Sequence, residues 1–317
     1  MKHAGLDFLC FMALFKQKKA LVTKKFNNFF YVDIFEDDNS EQERVRFLCK
    51  SRKSLYFKNQ FIVVGDEVII SEINIEERTA VIQNLITRKN YLIRPSIANI
   101  TDIFIVISLD EPELDLCQVN RFLLNSEYLN VNVSLVLTKC DLVSKEKREF
   151  FYDKFLSWGY NSWFLSIYEE VGFKSFLEEL KMRKCSILIG PSGVGKTTIL
   201  NQIIPNINRA TSDVSKKIKR GKNTTRNVEL FYLNKGCYIV DTPGFNMQNM
   251  NHDIQNIAYL FPELTNQLEK GEINCKFRNC LHISEPGCKI NRDFERYKFY
   301  KELVTDFKNH HSRNQGD

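Results

Sequence analysis

The stretch Gly190-Pro191-Ser192-Gly193-Val194-Gly195-Lys196-Thr197 satisfies G-x-x-x-x-G-K-[ST] in full, the pattern of a phosphate-cradling loop. The run before it, Ser186-Ile187-Leu188-Ile189, is short, apolar and β-branched, and reads as a buried strand. The run after it, Thr198 to Ile204, reads as a helix. Strand, glycine turn and helix are the context the pattern requires. Glycines let backbone N–H groups curl around phosphate oxygens where a Cβ would intrude. The helix N-terminus adds a positive dipole. Gly190 through Thr198 are therefore the predicted phosphate site. In it Lys196 neutralises the β- and γ-phosphates and the Thr197 hydroxyl holds Mg²⁺.

A phosphate loop does not choose a base. Thr138-Lys139-Cys140-Asp141 follows the apolar run Val133 to Leu137 and resembles the guanine-reading motif of GTPases. A carboxylate at Asp141 accepts two hydrogen bonds from guanine, N1–H and the exocyclic amine. Adenine offers no such pair, and the unpaired acceptor would be costly, so Asp141 selects against ATP. The stem of Lys139 covers the base plane. Alone, this tetrapeptide fits any solvated polar loop. Its place at the end of a buried strand favours a ligand role, since open parallel sheets bind there. Thr138 stands where such motifs often have Asn, and so is expected to lose an amide contact to the base. Val240-Asp241-Thr242-Pro243-Gly244 follows another apolar run and resembles D-x-x-G. There Asp241 reaches Mg²⁺ through water and the Gly244 N–H meets the γ-phosphate. Ser166, after Ser162 to Leu165, is a weaker candidate for a backbone contact to guanine, and a plain strand end explains it as well.

Five strands line up over residues 103–108, 133–137, 162–165, 186–189 and 238–240, with helical patterns at 116–129 and 145–155 between several of them. That alternation predicts an α/β domain with a mainly parallel sheet. The base-reading strands precede the phosphate loop, the reverse of the usual order. A circular permutation accounts for this, because only the chain break moves. The segment after Gly244 then leads directly into the C-terminal region, so a shift of that loop is expected to be passed on to it.

Cys275, Cys280, His282 and Cys288 form a compact group in a polar loop. Three sulfurs and an imidazole suit a closed tetrahedral structural zinc site, which would stabilise a loop with no core of its own. The competing reading is reduced cysteines that bind nothing. The remaining six of nine cysteines are scattered, and no disulfide framework is evident, which suits a reducing cytoplasm.

Short β-like runs at 29–35, 44–49, 67–73 and 79–86 predict a small barrel, with an OB-fold as first choice. Lys50, Arg52, Lys53, Lys58, Arg88, Lys89 and Arg94, with Tyr56, Phe57 and Tyr91 among them, suit single-stranded nucleic acid. Core aromatics and a solvated charged face explain the same composition. Gly5 to Phe15 is too short to span a bilayer and lacks signal-peptide features, so residues 1–25 read as an extension or a mistaken start. The chain of 317 residues, 43% hydrophobic, suggests two or three domains with ample cores. A net charge of +6 is compatible with RNA, and residues 209–226 hold seven Lys and Arg against Asp213 alone, where a first switch loop would lie. Tyr297, Tyr300, Val304 and Phe307 recur at helical spacing and read as core contact with the cysteine loop.

Together these motifs resemble the ribosome small subunit-dependent GTPase family, known as RsgA or YjeQ. The resemblance rests on Val64-Gly65-Asp66, Arg94 to Asn99, Asn120-Arg121-Phe122-Leu123 and the Thr138 to Asp141 motif. It continues through the phosphate loop, Gly221 to Thr225, Asp241 to Phe245, and Cys275 to Cys288. It implies an extension at 1–25, an OB-fold domain at 26–97, a circularly permuted GTPase domain at 98–247 and a zinc-binding helical domain at 248–317. It further implies GTP hydrolysis late in small (30S) subunit maturation, binding to 16S rRNA, and release on hydrolysis. The implied protein is a cytoplasmic monomer that takes GTP or GDP with Mg²⁺, holds one structural Zn²⁺ and does not bind membranes. The family's zinc ligands fall on Cys275, Cys280, His282 and Cys288. Asn223 replaces a family His proposed to assist hydrolysis, and Phe245 cannot orient water. Lys196, Thr224 and Thr225 remain as catalytic candidates, and slow unstimulated turnover is expected. The alternatives are a P-loop ATPase or kinase, and a zinc-containing RNA-binding module with an inactive pocket.

Overall fold

The computed structural model describes residues 17–35, 44–57, 61–204, 228–234, 236–241, 253–269 and 275–313. By compactness the chain divides into two units. One comprises Met1–Phe104, Phe173–Ile189 and Gly195–Asn246, the other Ile105–Gly172, Gly190–Val194 and Met247–Asp317.

The first unit opens with a five-stranded barrel: β1 Lys18–Phe26, β2 Phe29–Phe35, β3 Arg44–Ser51, β4 Glu67–Asn74 and β5 Thr79–Leu85, with the short helix α1 Lys53–Phe57 after β3. Neighbours run β1-β2-β3-β5-β4, and β4 pairs back onto β1 to close the ring. β3 and β5 are parallel and the other pairs antiparallel, which is OB-fold connectivity. Alternating residues fill the interior, among them Val22, Val32, Val68, Ile70 and Ile82. Each contributes roughly 1.5–3 kcal/mol by leaving water. The barrel thus begins inside the stretch read as an extension. Lys18, Lys19, Lys24 and Lys25 dilute the apolar alternation of β1, which hid it in the sequence.

Beyond the barrel come β6 Tyr91–Leu92, β7 Ile97–Ala98, β8 Asp102–Ser108, α2 Leu116–Glu127, β9 Asn132–Thr138, α3 Lys145–Ser157 and β10 Asn161–Leu165. They are followed by α4 Phe173–Leu180, β11 Cys185–Ile189, α5 Lys196–Ile203, β12 Glu229–Asn234, β13 Cys237–Asp241, α6 Pro262–Glu269 and α7 Tyr297–Arg313. In the first unit β11 and β13 are parallel, β12 is antiparallel to β13, and β12 meets β1 at Lys24 and Glu229. In the second, β9 and β10 are parallel. All five predicted strands of the nucleotide domain are present, each within a residue or so of its expected ends. β12 was not read from the sequence.

A buried ionic cluster joins barrel and sheet inside the first unit. Asp33 of β2 is fully buried and receives Arg46 through both oxygens, at 2.8 and 3.2 Å, while the Tyr238 hydroxyl of β13 donates to it at 2.9 Å. Burial, then the Asp33 charge, raises the Tyr238 pKa well above the ordinary phenol value. A carboxylate this deep is tolerated only with such complete pairing.

Candidate functional site

β11 is buried along its whole length and delivers the chain to Gly190. Gly190 has φ of +144°, and a Cβ there would lie 2.1 Å from the Val106 carbonyl oxygen of β8, so no other residue fits without backbone movement. Val194 is buried and anchors the loop, while Ser192, Thr197 and Thr198 are exposed. Lys196 opens α5, and burial lowers its pKa below the ordinary lysine value.

β9 ends at Thr138, whose hydroxyl lies 2.7 Å from the Val194 carbonyl and 3.1 Å from that of Ile107. Its single proton serves the nearer acceptor. Thr138 therefore fastens the Thr138–Asp141 turn to the loop at Val194, a role the sequence did not suggest for it. Lys139 follows in the left-handed region, φ +56°, and its ammonium donates to the Glu111 carbonyl. Cys140 is buried, and burial together with Asp141 raises its thiol pKa. Asp141 stands half-buried in the next turn. The segment Glu111-Pro112 escaped sequence reading. Pro112 is the nearest group to a Cβ built on Gly193, at 3.7 Å, and the Glu111 carbonyl holds Lys139. Its signal was only its position after the carboxyl end of β8. The Ser166 N–H is engaged by Val171 at 3.1 Å, which fits the plain strand-end reading. Asp241 closes β13 opposite Glu229. Gly244, Asn223, Thr224, Thr225, Phe245 and the basic run 209–226 lie outside the described residues.

The cysteine loop brings its four donors together. The ligand atoms of Cys275, Cys280, His282 and Cys288 all lie within 4.8 Å of one another. Cys275 Sγ is 3.7 Å from His282 Nδ1 and 4.0 Å from Cys288 Sγ, and Cys288 Sγ is 3.7 Å from the same nitrogen. A tetrahedral zinc, with bonds of about 2.3 Å to sulfur and 2.0 Å to nitrogen, separates its donors by ~3.5–3.8 Å, so the group fits. Burial lowers the His282 pKa, which keeps the imidazole neutral and available to a cation. Burial raises the Cys280 thiol to about 12. It opposes the Cys288 thiolate too, but the Ile290 N–H and Arg292 outweigh it and bring that thiol below its ordinary value. Glu285 accepts from the N–H groups of Ile283 at 2.9 Å, Ser284 at 3.2 Å and Leu281 at 3.3 Å, and so folds the loop around His282. The α7 stripe supports it as expected: the Tyr297 hydroxyl donates to the His282 carbonyl at 3.0 Å and that of Tyr300 to Leu281 at 2.6 Å.

The family model of the RsgA GTPase matches residues 85–251. The small ribosomal subunit biogenesis GTPase RsgA of Prochlorococcus marinus (strain NATL2A) is 42% identical over 297 residues, 92% of this chain and 95% of that protein. The chain belongs to the RsgA GTPase family. The RsgA protein of Synechococcus sp. (strain CC9311) is 38% identical over 276 residues, 87% of this chain and 90% of that one. Among solved structures, YjeQ from Thermotoga maritima superposes with a TM-score of 0.73 at 26% identity, covering 92% of this chain and 98% of that one. YloQ, a circularly permuted GTPase, gives 0.75 at 24% identity, with coverage of 93% and 96%. The permuted order of motifs is thus a property of the fold, and this RsgA-family chain is a GTP-hydrolysing enzyme. The family model covers both nucleotide motifs and Asp241, while the Cys275–Cys288 group lies beyond it. Among the described residues no helix is long and apolar enough to cross a membrane.

Proposed function

We propose that this chain binds GTP between Asp141 and the phosphate loop and hydrolyses it in the service of small ribosomal subunit biogenesis, as the names of its relatives indicate. The observation that carries the reading is the Thr138 hydroxyl bonded to the Val194 carbonyl at 2.7 Å, which makes one assembly of the guanine motif and the loop. Thr138, Lys139, Cys140 and Asp141 hold the base. Gly190 to Thr198 hold the phosphates, with Lys196 countering their charge and the Gly244 N–H at the γ-phosphate. Mg²⁺, when bound with GTP, adds charge neutralisation at the phosphates, and Thr197 and Asp241 are its holders. Lys196, Thr224 and Thr225 carry hydrolysis, with neither Asn223 nor Phe245 suited to orient water. Turnover therefore depends on the subunit for stimulation.

Zn²⁺ is the metal of Cys275, Cys280, His282 and Cys288, where it closes the loop and leaves no open position for chemistry. The barrel, now beginning at Lys18, binds 16S rRNA, and hydrolysis releases the protein. It acts as a cytoplasmic monomer, with the nucleotide domain at 98–247 and the metal-binding domain at 248–317. The test is GTP hydrolysis with and without purified small subunits, wild type against Lys196→Ala. Stimulation that disappears with Lys196→Ala, and that ATP does not reproduce, supports the reading. Equal use of ATP, or unchanged turnover by Lys196→Ala, ends it.

A further inference from the structure

Arg296 is 0% exposed, and nothing in nucleotide or metal binding uses it. Its guanidinium is gripped by groups far apart along the chain. Nε donates to Asn120 Oδ1 of α2 at 2.6 Å, and Nη1 donates to Glu263 Oε2 of α6 at 3.0 Å. The guanidinium carbon lies 4.7 Å from the ring centre of Phe261, 5.3 Å from Trp158 and 5.6 Å from Tyr160. The neighbouring Glu295 accepts from Trp158 Nε1 at 3.0 Å and pairs with Lys154. Gly159, φ +91°, comes so close to α6 that an added Cβ would lie 2.9 Å from Pro262 Cβ. Trp158-Gly159-Tyr160, which leads into β10, is thus packed against Phe261-Pro262-Glu263 and Glu295-Arg296. Those segments flank the metal loop, and α7 begins at the residue after Arg296.

A buried guanidinium is strongly unfavourable unless its charge and its N–H groups are answered. Here the Asn120 amide takes Nε, the Glu263 carboxylate takes Nη1 and three aromatic faces surround the group, leaving only the buried Nη2 without a hydrogen-bond partner among the described residues, and a lysine cannot reproduce the fork. A hinge has the opposite character, with few buried contacts and solvated backbone. Both α6 and α7 are joined to α2 and to the residues before β10 through this one side chain.

We propose that Arg296 is a positioning residue that locks the Cys275–Cys288 metal loop to the half of the nucleotide domain carrying the guanine motif, so that the loop keeps its place whatever nucleotide is bound. The shift expected to pass from Gly244 into the C-terminal region stops at this joint, and the nucleotide state is presented by the switch segments themselves. Only the final arm of the test rests on the ribosomal reading.

The chain has two tryptophans, so Trp163→Phe leaves Trp158 as the sole indole reporter, in contact with Glu295 and Arg296. Its emission, and hydrogen exchange of segments 157–163 and 258–266, are measured nucleotide-free, with GDP and with a non-hydrolysable GTP analogue. We expect the same emission maximum and the same protection in all three states. Arg296→Lys in that background should shift the emission to the red and speed exchange in both segments together, by roughly tenfold for one lost buried hydrogen bond. A nucleotide-dependent change at Trp158 overturns the proposal, as does Arg296→Lys with unchanged emission and exchange. The nucleotide arm uses the Trp163→Phe protein alone and holds even where Arg296→Lys fails to fold. In the last arm, Arg296→Lys should keep the KM for GTP and the unstimulated kcat while subunit stimulation falls. Equal loss of stimulated and unstimulated hydrolysis makes Arg296 a general stability residue and refutes its positioning role. Absence of stimulation in the Arg296-containing protein counts against the ribosomal reading and leaves the joint to be judged by fluorescence and exchange.

Discussion

Replacing Thr138 by Val removes one hydroxyl and keeps the branched shape, so it isolates the bond between the guanine motif and the phosphate loop. In the wild type that hydroxyl sits 2.7 Å from the Val194 carbonyl, and Thr138 and Val194 are both buried. Burial of both partners opposes replacement of the lost donor by solvent. An orphaned buried acceptor costs about 1–3 kcal/mol. The second carbonyl, Ile107 at 3.1 Å, loses a weaker alternative partner, so the sum stays in that range. Both partners of the bond belong to the protein itself, so most of the loss falls on the fold, and denaturant unfolding of the nucleotide-free protein should register it. The remainder appears as looser register between the two loops proposed to hold one nucleotide. GDP and GTP affinity should therefore fall together, by at most roughly a hundredfold if the whole 3 kcal/mol is transferred. Thr138→Ser keeps the hydroxyl and should stay within about 1 kcal/mol of wild type. Guanine preference should survive in both variants, since Asp141 is untouched. Fluorescent-nucleotide titration beside the unfolding curves decides the matter. Thr138→Val with wild-type stability and wild-type GDP affinity would show that this bond holds neither the fold nor the loop.

Gly190→Ala should be far more damaging than Gly195→Ala. The first pushes a Cβ to 2.1 Å from a backbone oxygen, while the second meets nothing within 4 Å and pays only a left-handed φ, roughly 1–2 kcal/mol; unfolding and nucleotide titration of the pair test this. Glu285→Ala frees three N–H groups around His282 and should weaken metal affinity by about ten- to a hundredfold in chelator competition, with GTP affinity unchanged. Lys196→Met should abolish nucleotide binding yet stabilise the nucleotide-free protein. Burial lowers the folded-state pKa of Lys196, so at neutral pH the folded protein carries the cost of a desolvated charge. That cost fades as pH rises through the lowered value, and the stability gain of Lys196→Met should shrink with it in unfolding curves taken at increasing pH.

What is local was the easiest to read. The phosphate-loop pattern, the Thr138 to Asp141 motif and the Cys275 to Cys288 group each lie within one short run, so their spacing is visible in the sequence alone. The barrel strands β2 to β5 showed in their alternation. β1 did not, because four lysines interrupt it, and one of them, Lys24, is half of a pair with Glu229 that lies 205 residues away. Asn120 was recognised as part of a family motif with no role attached.

The order of the motifs along the polypeptide was enough to announce a permuted nucleotide domain, a small barrel and a loop whose three cysteines and histidine could hold a metal. Folding alone decided that Thr138 answers Val194, that Tyr238 answers Asp33, and that Asn120 and Glu263 answer Arg296. Such pairs leave no trace in linear spacing. A polar group must find its partner only once packing has withdrawn it from water, and which distant group is then within reach is set by how the strands and helices come to lie together.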